Sequence, residues 1–129
     1  MSARVLIIED DYLSLTLAQY LLDAAGHRTL AVREGSTGIR AALTESWDLI
    51  LCDLQMPQMN GYQVAAHLQS DPGWKSVPLL AMTASSMPGE RVSALAAGFD
   101  GFLEKPIEPR LFVAQIEAYL DLQPVLARA

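Results

Sequence analysis

The stretch Leu49–Gly61 reads LILCDLQMPQMNG, an apolar run that stops abruptly at a carboxylate. Leu49 to Cys52 are all apolar, with none of the alternation of a half-wet strand, so they read as a short strand buried on both faces. Asp53 follows at once, and Pro57 and Gly61 punctuate the loop that leads into the next helix. A strand covered on both faces belongs to a parallel sheet with helices on either side. Here it ends on a carboxylate, and a bland turn does not ask for one.

Similar short runs recur along the chain, at Arg4–Ile8, Arg28–Val32, Asp48–Cys52, Val77–Met82 and Gly101–Leu103. The segments between them carry helical spacing. Phe112, Ile116, Tyr119 and Leu120 follow it in the last segment, Val64, Ala65 and Leu68 in the third, and Val92, Leu95 and Ala96 in the fourth. Gly26 and Gly98 close helices, Pro78 stands near a strand start, and Pro109 lies in the first turn of the last helix. The expectation is an α/β fold, a doubly wound five-stranded parallel sheet with five helices. Two strand orders are common for such sheets, and the pattern alone does not choose between them.

Composition sets the bounds. The chain has 129 residues, 51% of them hydrophobic and 19% charged, as befits one compact domain over residues 1–129. A net charge of −6 and no dense basic run argue against nucleic acid or an anionic membrane as partner. Cys52 is the only cysteine, so no internal disulfide can form, which fits a reducing, cytoplasmic setting. No run is long enough to span a bilayer, and MSARVLIIEDD lacks the apolar core of a secretory signal.

In a doubly wound sheet, ligands bind beyond the carboxyl ends of the strands. Glu9, Asp10 and Asp11 follow the first strand, Asp53 the third, Thr83 the fourth, and Glu104, Lys105 and Pro106 the fifth. Arg33 and Glu34, after the second, read as solvated, and Asp11 as the N-cap of the first helix. Carboxylates crowded together raise one another's pKa unless a cation sits among them. A few oxygen ligands suit Mg²⁺, which leaves positions for a phosphate oxygen. A lysine and a hydroxyl opposite would complete a cradle for phosphoryl transfer, with one carboxylate as nucleophile.

Glu9-Asp10, Asp53 in DLQMPQMNG, Thr83-Ala84 in AMTAS and Lys105-Pro106 in FLEKP together resemble the receiver domain of two-component response regulators, here of the single-domain type. The resemblance covers essentially the whole chain and implies strand order 2-1-3-4-5. It further implies that Asp53 accepts a phosphoryl group from a phosphohistidine on a sensor histidine kinase or histidine phosphotransfer protein. Asp10 and Asp53 would bind Mg²⁺ directly, Glu9 through a water, and Gln55 by its backbone carbonyl. Lys105 would pair with Asp53 and then with the phosphoryl group, and Thr83 would donate its hydroxyl to a phosphoryl oxygen. The Lys105–Pro106 bond would be cis. Thr83 and Phe102 would form the switch, with phenylalanine where many relatives carry tyrosine. Output would fall on Pro88–Ala97, Gly101–Leu103 and Pro109–Leu120, docking a downstream protein. The chain would catalyse at most its own phosphorylation and dephosphorylation.

A haloacid-dehalogenase-like phosphatase, Mg²⁺-dependent and phosphorylated on aspartate, would want a second aspartate where Gln55 stands. A flavodoxin-like flavin carrier would want a phosphate loop where EDDYLS stands. A degenerate receiver would lack part of the acidic, hydroxyl and lysine set. With the last helix ending at Leu120 and the chain at Ala129, no output domain is expected, which leaves a free-standing regulator or a receiver cut from a hybrid kinase or larger regulator. His27 and His67 read as surface residues, Cys52 as a packed thiol, Met56 and Met59 as cover over the site, and Trp47 and Trp74 as partly buried.

Overall fold

The computed structural model describes residues 2–85 and 87–128, with residues 122–128 described by their backbone alone. Its elements run β1 (Arg4–Ile8), α1 (Tyr12–Ala24), β2 (Arg28–Val32), α2 (Gly35–Thr44), β3 (Leu49–Asp53), α3 (Gly61–Ser70), β4 (Leu79–Thr83), α4 (Pro88–Ala96), β5 (Gly101–Glu104) and α5 (Pro109–Arg128). The strands pair in parallel in the order β2-β1-β3-β4-β5. That is the flavodoxin-like order implied by the resemblance.

Side chains alternate across each strand and feed two cores. Leu6, Ile8, Ile50, Cys52, Leu79 and Ala81 pack with Ala41 and Ala42 of α2 and with Val64, Ala65 and Leu68 of α3. Val5, Ile7, Leu49, Leu51, Leu80 and Met82 pack with Ala18 and Leu22 of α1 and with Phe112, Ile116 and Leu120 of α5. Every residue of β3 and β4 is buried, so LILC needs apolar residues on both faces and cannot alternate.

The strand limits shift from the sequence expectation in a useful way. Asp53 and Thr83 are the last residues of their strands, because the ladder runs on through Leu54 N–H to Met82 C=O and Lys105 N–H to Thr83 C=O. Gly26 and Gly98 adopt φ of +94° and +108° after α1 and α4, where a side chain would be strained. The Lys105–Pro106 peptide is cis.

Several expectations need correction. Val92, Leu95 and Ala96 do not form the buried stripe of α4: Val92 is 67% and Leu95 52% exposed. Ala94 is buried instead, with Ala97 partly buried against the same core, because this short helix packs at the edge of the sheet with its small residues inward. The last helix runs past Leu120 to Arg128.

His27 is no surface residue. Its ring is fully buried; Nδ1 accepts from Ala3 N–H at 3.0 Å, so the proton sits on Nε2, which faces Glu117 Oε2 of α5 at 2.9 Å. His67 is exposed, as expected. Trp47 is buried with Nε1 donating to Ala41 C=O, and Trp74 packs partly buried on the core. Among the described residues no helix is long and apolar enough to cross a membrane.

Candidate functional site

The connections out of β1 and β3 leave toward opposite faces of the sheet, so a crevice opens where these neighbouring strands end. Three carboxylates meet there. Glu9 and Asp10 follow β1, Asp53 ends β3, and one oxygen from each lies within 4.8 Å of the others. Asp53 is almost fully buried; its Oδ1 accepts from Gln55 N–H at 3.1 Å and its Oδ2 from Lys105 Nζ at 3.1 Å. Lys105 Nζ also forms an ion pair with Glu9 Oε1. Glu9 is wholly buried, and neither of its oxygens has a partner in good hydrogen-bond geometry.

The loop after β3 is built to hold this arrangement. A Cβ on Gly61 would lie 2.5 Å from Asp53 C=O and 2.8 Å from Leu54 Cα, so only glycine lets α3 begin directly against the end of β3. Asn60 and Gln63 form a reciprocal capping box that fixes the start of the helix. Met56 and Met59 join the core, Met59 lying against Gly35 of α2.

The charges have physical consequences. Burial, reinforced by Asp53, pushes Glu9 up to about 8, against the opposing pull of Lys105. Burial and Asp53 raise Asp10 as well. Burial on its own would lower Lys105, but Glu9 and Asp53 overcome it and hold the ammonium above its ordinary value. Asp11 stands at the N-cap of α1; its carboxylate accepts from the Ser14 hydroxyl at 2.6 Å, which lowers it, and it takes no part in the cluster. Burial pushes the Cys52 thiol far up, as suits an inert packed group.

Glu9, Asp10, Asp53 and Lys105 are thus brought together. Thr83 stands fully buried at the end of the next strand, with Oγ1 accepting from Ser85 N–H at 3.1 Å. Gln55 is exposed beside Asp53. Phe102 is half-buried on β5, opposite Ala81 in register, with the Arg91 guanidinium 5.2 Å from its ring centroid.

Two arginines were not legible as site neighbours. Arg91 is one helical turn into α4 and nothing in its surroundings marks it. Arg33 is not simply solvated: Nη2 donates to Asp10 C=O at 3.0 Å and the guanidinium lies 5.8 Å from the Tyr12 ring centroid. The strand-end rule that found Asp53 also applies to β2. A cavity of about 330 Å³ opens there, lined by Asp10, Arg33, Glu34, Pro57 and Gln58.

Comparison with known proteins points to one family. Residues 5–117 match the response regulator receiver domain. The polar-differentiation response regulator DivK of Brucella ovis is 32% identical over 120 residues, which cover 93% of this chain and 98% of that protein. The receiver domain of sensor histidine kinase PA1611 from Pseudomonas aeruginosa, solved with a magnesium ion coordinated in its active-site cleft, is 26% identical with a TM-score of 0.84, covering 94% of this chain and 99% of that one. The chemotaxis response regulator CheY4 of Vibrio cholerae, 24% identical, shares the fold with a TM-score of 0.85, over 92% and 99% of the two chains. With its fold, its three crowded carboxylates and these relatives, the chain belongs to the response regulator receiver domain family.

Proposed function

We propose that residues 1–129 act as one phosphoacceptor domain of a two-component phosphorelay, taking a phosphoryl group onto Asp53 from a phosphohistidine of a sensor histidine kinase or histidine phosphotransfer protein. The observation that carries this reading is the setting of Asp53: a nearly buried carboxylate at a strand end, one oxygen on an ammonium, two further carboxylates beside it. An Asp53 oxygen attacks phosphorus, and an acyl phosphate forms as the bond from phosphorus to the imidazole nitrogen breaks. That bond's electron pair stays on the nitrogen. Lys105, already paired with Asp53, follows the charge onto the phosphoryl oxygens, and Thr83 turns its hydroxyl to donate to one of them.

The site fits Mg²⁺. Its donors are all oxygens, and three carboxylates crowd there with the single ammonium of Lys105 to offset them, which leaves negative charge for a cation to balance. Asp10, Asp53 and the Gln55 carbonyl would hold the ion, with Glu9 acting through a water. When bound, it neutralises the crowded carboxylates and the charge of the phosphoryl oxygens. The magnesium found in the Pseudomonas receiver supports this reading.

Phosphorylation then shifts a pre-existing equilibrium, through Thr83 and Phe102, of the face formed by α4, β5 and α5. Exposed Met87, Val92, Leu95 and Leu111 suit that face for a protein target. In this role the chain is a relay in the cytoplasm rather than a classical enzyme. The test is labelling by acetyl phosphate with and without Mg²⁺: the parent chain takes up one phosphoryl group only with the cation, and Asp53→Asn takes up none. Equal labelling of Asp53→Asn would sink the assignment.

A further inference from the structure

α4 is lightly held. Within it only Ala94 is fully buried, while Val92 and Leu95 are mostly exposed, so the side-chain contacts of its first turn weigh heavily in fixing it. Two such contacts come from consecutive residues. Glu90 lies beside the Tyr62 hydroxyl of α3, which burial and this carboxylate raise above its ordinary value. Arg91 serves a different neighbour, its guanidinium standing 5.2 Å from the centroid of the Phe102 ring on β5. Arg91 is exposed and, among the described residues, forms no ion pair, so its charge is committed to the ring rather than to a carboxylate.

The sheet offers that ring a second place. Phe102 pairs in register with Ala81, and Thr83 stands two residues further along β4 on the same face. A diagonal neighbour on an adjacent strand lies within reach of an aromatic ring, and the small side chain of Ala81 leaves the way open. Thr83 Oγ1 accepts from Ser85 N–H, and a hydroxyl that turns to a phosphoryl oxygen vacates its side of that face. Phe102 has no hydroxyl, so no side-chain hydrogen bond can anchor it in either place. We propose that Arg91 is a positioning residue of the switch: its guanidinium holds the Phe102 ring toward α4 in the unphosphorylated chain, and the ring leaves it for the space beside Thr83 once that hydroxyl has turned. This role rests on the phosphoacceptor reading above. Because the contact exists in only one of the two states, its removal favours the other.

Titration of the full chain with beryllium fluoride, a phosphoryl mimic, at saturating Mg²⁺ tests it, followed by amide chemical shifts. Arg91→Ala binds the mimic about two- to fivefold more tightly than the parent, the factor that an exposed contact of cation and ring is worth. Arg91→Lys keeps the charge but stacks less well, and falls between the two. In a Phe102→Leu background Arg91→Ala changes the affinity no further, since the ring it acts through is gone. An affinity left unchanged or weakened by Arg91→Ala overturns the role, as it would if Arg91 only docked a target or drew in the anion. So does a gain that persists in the Phe102→Leu background. A parent that does not bind the mimic, or Asp53→Asn binding it as the parent does, strikes the phosphoacceptor reading itself and this role with it.

Discussion

Burial holds the Glu9 carboxyl up to about 8, with Asp53 adding to the effect and Lys105 opposing it. A group whose folded pKa lies above its unfolded value stabilises the fold when protonated. Its contribution is fully present below the unfolded value near 4.5 and is lost as pH rises through about 8. With divalent cations chelated, the unfolding midpoint of the protein therefore falls between pH 5 and pH 8.5, by a free energy on the order of a few kcal/mol. Glu9→Gln, neutral at every pH, removes most of that slope and is the more stable chain at pH 8. Thermal melts in a chelator across this pH range check both statements, and a parent whose midpoint does not fall would refute them. Added Mg²⁺ is expected to flatten the parent's slope and to do less for Glu9→Gln.

At the level of the elements, the join between β3 and α3 brings the backbone of Gly61 close against that of Asp53 and Leu54. Gly61→Ala drives a Cβ into Asp53 C=O and Leu54 Cα, neither of which is a flexible chain end. The expected loss is about 3 kcal/mol or more in urea unfolding, with slower labelling of Asp53 because its strand end is displaced. A loss under about 0.5 kcal/mol would show that the loop yields. This join was legible in the sequence, since a buried strand, a carboxylate, loop punctuation and Gly61 stand in order along one stretch. So were the strand-end positions of Glu9, Asp10, Thr83 and Lys105, because an open α/β sheet gathers all its strand ends on one edge. The orientation of α4 was not. Periodicity finds a helix but not which way its stripe turns, and at the edge of a sheet Ala94 and Ala97 outcompete Val92 and Leu95 for the narrow contact. His27 escaped for a similar reason. Its burial depends on Ala3 and Glu117, one near each end of the chain, and no local pattern reports such a meeting.

Over the whole molecule, the His27 ring ties together the start of β1, the start of β2 and the middle of α5, at the end of the sheet opposite Asp53. His27→Ala leaves a buried Ala3 N–H and a cavity in its place. A cost of about 2–3 kcal/mol is expected in chemical denaturation, with the rate of Asp53 labelling in the folded protein unchanged. An unaltered denaturation midpoint would mean that water replaces the ring without loss. The strand order has a further consequence for how the molecule comes into being. Glu9 and Asp10 meet Asp53 only because β1 and β3 are neighbours in space, although two helices and a strand separate them along the chain. A nascent chain carries none of their mutual repulsion. The tension arises only when the centre of the sheet closes, so the carboxylate cluster proposed to hold a cation comes into being in the same step that completes the fold.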